Sequence, residues 1–147
     1  MVKIALIWFF SIVHVMSFTG LDVMTLVQKE TQKKNTRKAV VDMKIYDDEN
    51  RERLRFFNYW TKYRDDREDS LIKFFRPKNV KGTSLLTNSD KKKDSKNQWI
   101  YLPAFKSVKR LSSSDKNKSF MGSDFTYSDI AGRKLSQDIH KLIKETD

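Results

Sequence analysis

Cysteine is absent from this 147-residue chain. That excludes disulfides, thiolate zinc sites, a cysteine nucleophile and a lipidated N-terminal cysteine. Histidine is almost as scarce. The two residues, His14 and His140, are too few for a metal centre, so neither a metal nor a cofactor is expected. No phosphate-binding glycine loop, catalytic triad spacing or internal repeat is present. The carboxylates cluster in turn-like segments, Asp47-Asp48-Glu49 and Asp65 to Asp69, interspersed with arginine. General acid–base work needs two carboxyls fixed in a pocket with their pKa values pushed apart, so these clusters read as solvated turns. Ser112, Ser113 and Ser114 have no histidine base beside them unless His140 folds back, and they read as a polar turn. No catalytic residue is expected, and the chain is read as a non-enzyme.

What the chain has is basic charge, aromatic residues and one apolar start. Lys plus Arg is 30 against 19 Asp plus Glu, a net charge of +11. An excess of this size favours an anionic partner such as a lipid headgroup, an acidic protein or nucleic acid. The charge is spread along the chain, and its one dense run is Lys91-Lys92-Lys93. The length suits one domain with a modest core. Residues 1–20 stand apart. Lys3 precedes a stretch from Ile4 to Phe18 that is apolar apart from Ser11, His14 and Ser17. This has the length and flanks of a secretory signal peptide rather than a spanning helix of ~20 apolar residues. Cleavage is expected near Ser17 or Gly20, which leaves the remainder, 21–147, as an exported domain.

The remaining pattern is mainly strand. Val23, Leu26, Val27 and Glu30 follow helical spacing, so a helix is expected over Leu21 to Lys34. Lys38 to Tyr46 alternates, with Ala39, Val41, Met43 and Ile45 on one face. A polar turn at 47–50 returns the chain as a second strand, Arg51 to Tyr63, which is aromatic on both faces. Further strands are expected at Ser70 to Arg76, Thr83 to Thr87, Trp99 to Leu102 and Ser107 to Leu111, with a lysine-rich loop over Asn88 to Asn97. A short helical turn is expected at Asp124 to Ile130. Leu135, Ile139, Leu142 and Ile143 stand at helical spacing, so a C-terminal helix is expected. Successive hairpins imply a curved antiparallel meander whose last strand has no partner. Val41, Met43, Ile45, Phe57, Phe74 and Leu86 are the candidates for an inward apolar face that takes up lipid acyl chains. Such a face gains ~25 cal/mol per Å² by excluding water, whether side chains or lipid fill it.

One stretch carries a family resemblance. Val80-Lys81-Gly82-Thr83, Gln98-Trp99-Ile100-Tyr101-Leu102-Pro103-Ala104, Val108-Lys109-Arg110-Leu111 and Ser119-Phe120-Met121-Gly122-Ser123-Asp124-Phe125 resemble the outer membrane lipoprotein-sorting protein family, the LolA-like proteins. The likeness is most specific from Trp99 to Ile130 and extends more loosely back to the first helix. It implies a mainly β fold with helices, an α+β incomplete half-barrel whose concavity receives acyl chains. It also implies a periplasmic location and handover of a lipid or lipoprotein from an inner-membrane exporter of resistance-nodulation-division or ABC type. It implies structural roles for the shared residues: turn formation at Gly82, Pro103 and Gly122, strand packing at Trp99 and Tyr101, and capping at Asp124, with Arg110 and Phe120 in the same signature. Family members continue with further strands, so an incomplete half-barrel is expected here. The first alternative is a truncated or structural envelope protein that keeps part of the fold. A basic nucleic-acid-binding module is the second, and nucleic acid is not the expected partner.

Overall fold

The computed structural model describes residues 18–33 and 35–144. The expected signal peptide falls mostly on residues 1–17, outside the described residues, as does the Ser17 cleavage point. The described chain begins with helix α1 (Gly20–Gln32). Its start is a capping box: the Thr19 hydroxyl accepts from the Asp22 N–H at 3.2 Å, and the Asp22 carboxylate accepts from the Thr19 N–H at 2.9 Å. These bonds satisfy donors that the first turn leaves free. Gly20 is there for space. A Cβ at this position would lie 2.7 Å from the carbonyl carbon and oxygen of His140, so the C-terminal segment crosses the helix start in close contact.

Six strands follow: β1 (Thr36–Tyr46), β2 (Glu52–Arg64), β3 (Arg67–Arg76), β4 (Ser84–Asp90), β5 (Ser95–Leu102) and β6 (Ser107–Arg110). They form one antiparallel sheet in chain order, β1 to β6. The curved, unclosed meander is the expected fold. Short helices α2 (Ser113–Lys116) and α3 (Tyr127–Ile130) lie in the segment after β6.

The hairpins are tighter than the sequence suggests. β3 begins at Arg67, so only Asp65 and Asp66 turn the chain. The expected loop over 88–97 is mostly ladder, because Asn88 pairs with Asn97 and Asp90 with Ser95. Polar residues hide these strand ends from a hydropathy pattern, yet their backbone groups still pair. The C-terminal helix is absent. A three-residue 3-10 turn, Leu135–Gln137, is followed by extended backbone at Asp138. Ile139 is 100% exposed and Ile143 is 92% exposed, so only part of the apolar stripe, with Leu142 beside α1, meets a packing surface, and a short helix needs one along its face.

The core lies on one face of the sheet. Phe57, Ile72, Phe74, Leu85 and Ile100 point to this side and are joined by Val80, Leu111 and Phe120. Phe120 is 0% exposed. Its ring lies 5.8 Å from Phe74 and 5.5 Å from Tyr127, the latter edge-on. Two residues on, Gly122, at φ +82°, turns the chain, a conformation that costs glycine little. Replacing Phe120 by Ala is expected to destabilise the fold by about 3–5 kcal/mol. A urea titration followed by circular dichroism measures this, with Phe125→Ala at an exposed site as the control.

Candidate functional site

Strand register sorts the expected apolar residues. Val41 is paired with Phe57 and Phe57 with Phe74, so the three share a face. Met43 and Ile45 follow Val41 at two-residue steps on the same side. These five of the six candidates therefore come together on the core face. The space above them is filled from within the chain. Phe57 and Phe74 lie 5.0 Å apart, and Phe120 stands 6.4 Å from Phe57, edge-on. In this structure the face is packed core over β2 to β5, with Val41 and Met43 half-buried at its margin.

Polar contacts fasten the segment that covers this face. Gln98, wholly buried, donates through Nε2 to the Tyr127 carbonyl at 2.8 Å and to Thr87 Oγ1 at 3.4 Å. Its Oε1 is buried with no partner among the described residues, a cost on the order of 1–3 kcal/mol that the surrounding packing offsets. Lys96 Nζ donates to the Ala131 carbonyl at 3.1 Å and also to that of Gly132. Burial is the main cause that pulls the Lys96 amine below its ordinary value. Asp115 joins two lysines, Lys118 at 2.8 Å and Lys109 of β6 at 3.0 Å, and caps α2 through Ser112. Lys118, then Lys109 and Ser112, hold its carboxyl well below the usual carboxylate range.

Leu86 is placed differently from the other five. It pairs with Leu71 and Trp99 on the opposite face and is 42% exposed. It is beside Leu85, which is buried, and adjacent residues of a strand point to opposite sides. On that second face Leu71, Ser84, Leu86, Trp99, Tyr101 and Val108 line an open groove of about 380 Å³. This falls in the ~300–1,000 Å³ range of small-molecule sites. The lining is almost wholly apolar. Trp60 pairs with Leu71 and continues the row toward β1.

Cations border the groove. The Arg110 guanidinium stands 6.0 Å from the Trp99 ring centre. Lys73 pairs with Ser84, and Arg76 lies 4.9 Å over Phe56 farther along the face. Such a surface is complementary in chemistry to an apolar chain with an anionic end. Leu71, Trp99, Tyr101 and Val108 were not among the sequence candidates for lipid contact. The available signal was the adjacent apolar doublets Leu71-Ile72, Leu85-Leu86 and Trp99-Ile100, which give a strand two apolar faces.

A second apolar surface follows α1, where Phe18, Val23, Leu26, Val27 and Leu142 border a hollow of about 540 Å³. Among the described residues no group of His, Asp and Glu is arranged to hold a metal ion. No described helix is long and apolar enough to cross a membrane.

The signature residues hold turns and strands. Gly82, at φ +86°, approaches Pro103, and Pro103 opens the 3-10 turn between β5 and β6. Asp124 is exposed, and the cap of α3 is Thr126 with Asp129. Thr126 has the hydroxyl one residue before the helix, where it reaches the Asp129 N–H at 3.1 Å.

A family model described as an uncharacterized protein matches residues 66–147, more than half of the chain. A DUF1329 family protein from Desulfovibrio piger superposes with a TM-score of 0.66 at 31% identity, over 76% of this chain and 47% of that one. An outer membrane lipoprotein-sorting protein domain from Vibrio parahaemolyticus superposes with a TM-score of 0.65 at 28% identity, over 79% of this chain and 49% of that one. The chain belongs to the LolA-like family. No curated protein matches this LolA-like chain, which spans about half the length of the solved structures it resembles.

The Asp115 contacts make the cover of the core face acid-sensitive. A carboxyl depressed on folding stabilises the fold fully above its unfolded pKa. That contribution is lost as pH falls through the folded value. Protection of amides in residues 112–131 against hydrogen exchange, after correction for the intrinsic rate, is expected to fall as pH drops below about 4. Asp115→Asn is expected to start lower and to lose most of this dependence.

Proposed function

We propose that this LolA-like chain is a periplasmic lipid carrier with no catalytic step. It binds the acyl chains of a lipid or lipoprotein in the apolar groove on the open face of the sheet and passes them toward the outer membrane. One observation carries this reading: the groove of Leu71, Leu86, Trp99, Tyr101 and Val108 is apolar, open and bordered by Arg110. The fold it sits on is also that of a lipoprotein-sorting domain. Burial of acyl chains supplies the affinity at ~25 cal/mol per Å², and the bordering cations orient an anionic headgroup. An inner-membrane exporter is the donor in this scheme.

Export through the N-terminal segment belongs to the same proposal. Of the two cleavage points, the one after Ser17 leaves Thr19 and Gly20 in place to cap and seat α1. A cut after Gly20 would remove both. The intact mass of the exported protein is expected to correspond to a chain starting at Phe18. A chain starting at Leu21 would contradict this choice.

Lipid binding is measured by displacement of a fluorescent fatty-acid probe from the purified protein and by mass spectrometry of co-purifying lipid. Leu86→Asp is expected to weaken probe binding by about tenfold or more, because it puts a charge where the chain must lie. The fold is expected to survive, since the residue is exposed. Purified protein that carries no lipid and binds no probe would end the proposal.

The same face favours one other reading. Trp99 and Tyr101 beside Arg110 could stack nucleobases. That reading requires oligonucleotide affinity that falls steeply with salt, whereas acyl-chain binding does not.

A further inference from the structure

We propose that the free edge of β1 pairs with β1 of a second copy, joining two sheets into one across a two-fold axis at Val40. β1 is an eleven-residue edge strand with no strand on its outer side among the described residues. It contains no proline, and its register with β2 is unbroken from Thr36 to Tyr46. Edges of this length are usually blunted by charge, proline or a bulge, because their free N–H and C=O groups are a template for another strand.

The direction of those groups follows from the ends of the ladder. The Tyr63 N–H donates to the Asn35 carbonyl at 2.9 Å, and the Asp47 N–H donates to the Arg51 carbonyl at 3.3 Å. Hydrogen-bonded pairs alternate along an antiparallel ladder. Odd-numbered residues of β1 therefore turn their backbone groups toward β2. Thr36, Lys38, Val40, Asp42 and Lys44 turn theirs outward.

An axis at Met43 would also oppose unlike charges, Asp42 with Lys44, but Lys44 is already held by Glu52, so the side chains at the outward positions favour a register centred on Val40. With the axis at Val40, the two Val40 residues exchange both backbone bonds. Lys38 of each copy then stands opposite Asp42 of the other, and Thr36 opposite Lys44. Ala39 meets Val41 on the core face. Moving the axis to Val41 sets Lys38 against Lys44, and moving it to Asp42 sets the two carboxylates together. Like charges directly opposite destabilise a strand pair, and opposite charges stabilise it. Among the described residues neither Lys38 nor Asp42 has an ion-pair partner, whereas Lys44 is held by Glu52 at 3.2 Å. Val40 is 63% exposed and would be covered at the axis. The contact is isologous, as a closed two-fold dimer requires. Paired strands share their faces, so both apolar grooves would open on the same side of the joined sheet.

The test is the mass of the purified full chain by size-exclusion chromatography with light scattering over a concentration series. A dimer is expected for the unaltered protein. Lys38→Asp and Asp42→Lys singly are expected to raise its dissociation constant by about tenfold or more, since each change sets like charges opposite at two symmetric places. The double variant K38D/D42K is expected to restore the dimer. Val40→Pro, which removes an outward N–H and leaves the β1–β2 ladder intact, is expected to leave monomer with an unchanged circular dichroism spectrum. A monomeric unaltered protein at every concentration overturns the proposal. So does a dimer that the single charge changes leave intact, or one that the double change fails to restore.

Discussion

The insertion of Phe120 against Phe57 and Phe74 is the contact on which the rest of this structure depends. A six-stranded meander with apolar residues on both faces could bury either one. Phe120 is wholly buried on the side of Ile72, Leu85 and Ile100, and that makes this side the core. Gln98, Lys96 and Asp115 then hold the segment from Ser112 to Gly132 in place with bonds that each contribute a modest amount. With one face closed in this way, Leu71, Leu86, Trp99 and Tyr101 are left on the other, and their open groove follows from the same event.

This division bears on how a half-length LolA-like chain could carry lipid. Five of the six apolar candidates face the filled side, where side chains already exclude the water that a lipid would exclude. A ligand there would have to displace Phe120 and its polar fastenings. The open face has no such cost, and in the proposed reading its guanidinium border is where an anionic head would sit. The high net charge would favour any such anionic head, but the surface ion pairs add little to stability. Arg51 with Glu49 and Lys33 with Glu30 are exposed pairs, worth about 0–1 kcal/mol each. Asp115 differs because two lysines and a capping serine converge on one shielded carboxylate.

Much of the fold was legible from residue pattern. β1, with its alternation from Ala39 to Ile45, and the doubly aromatic β2 were readable because period two is imposed by the backbone itself. The turns expected over Asp65 to Asp69 and Asn88 to Asn97 are shorter in the structure, since polar strand ends carry no hydropathy signal while their amides still pair. The C-terminal helix was read from Leu135, Ile139, Leu142 and Ile143, whose spacing is helical. Spacing describes only a possible face, and here Ile139 and Ile143 stay exposed while Leu142 borders α1. The resemblance implies a cap at Asp124, yet Thr126 holds the position next to α3.

The sequence by itself determined the antiparallel meander, the turn glycines, the absence of cysteine chemistry and the family resemblance carried by Trp99 to Ile130. These depend on local periodicity, on which residues tolerate positive φ and on residue identity. Only the tertiary structure decided which member of each apolar doublet is buried. Leu85 and Leu86 are chemically the same residue on opposite sides of one strand. Their roles separate because strand pairing aligns Leu85 with Ile72 and Ile100, and because a residue thirty-five positions away, Phe120, covers that row.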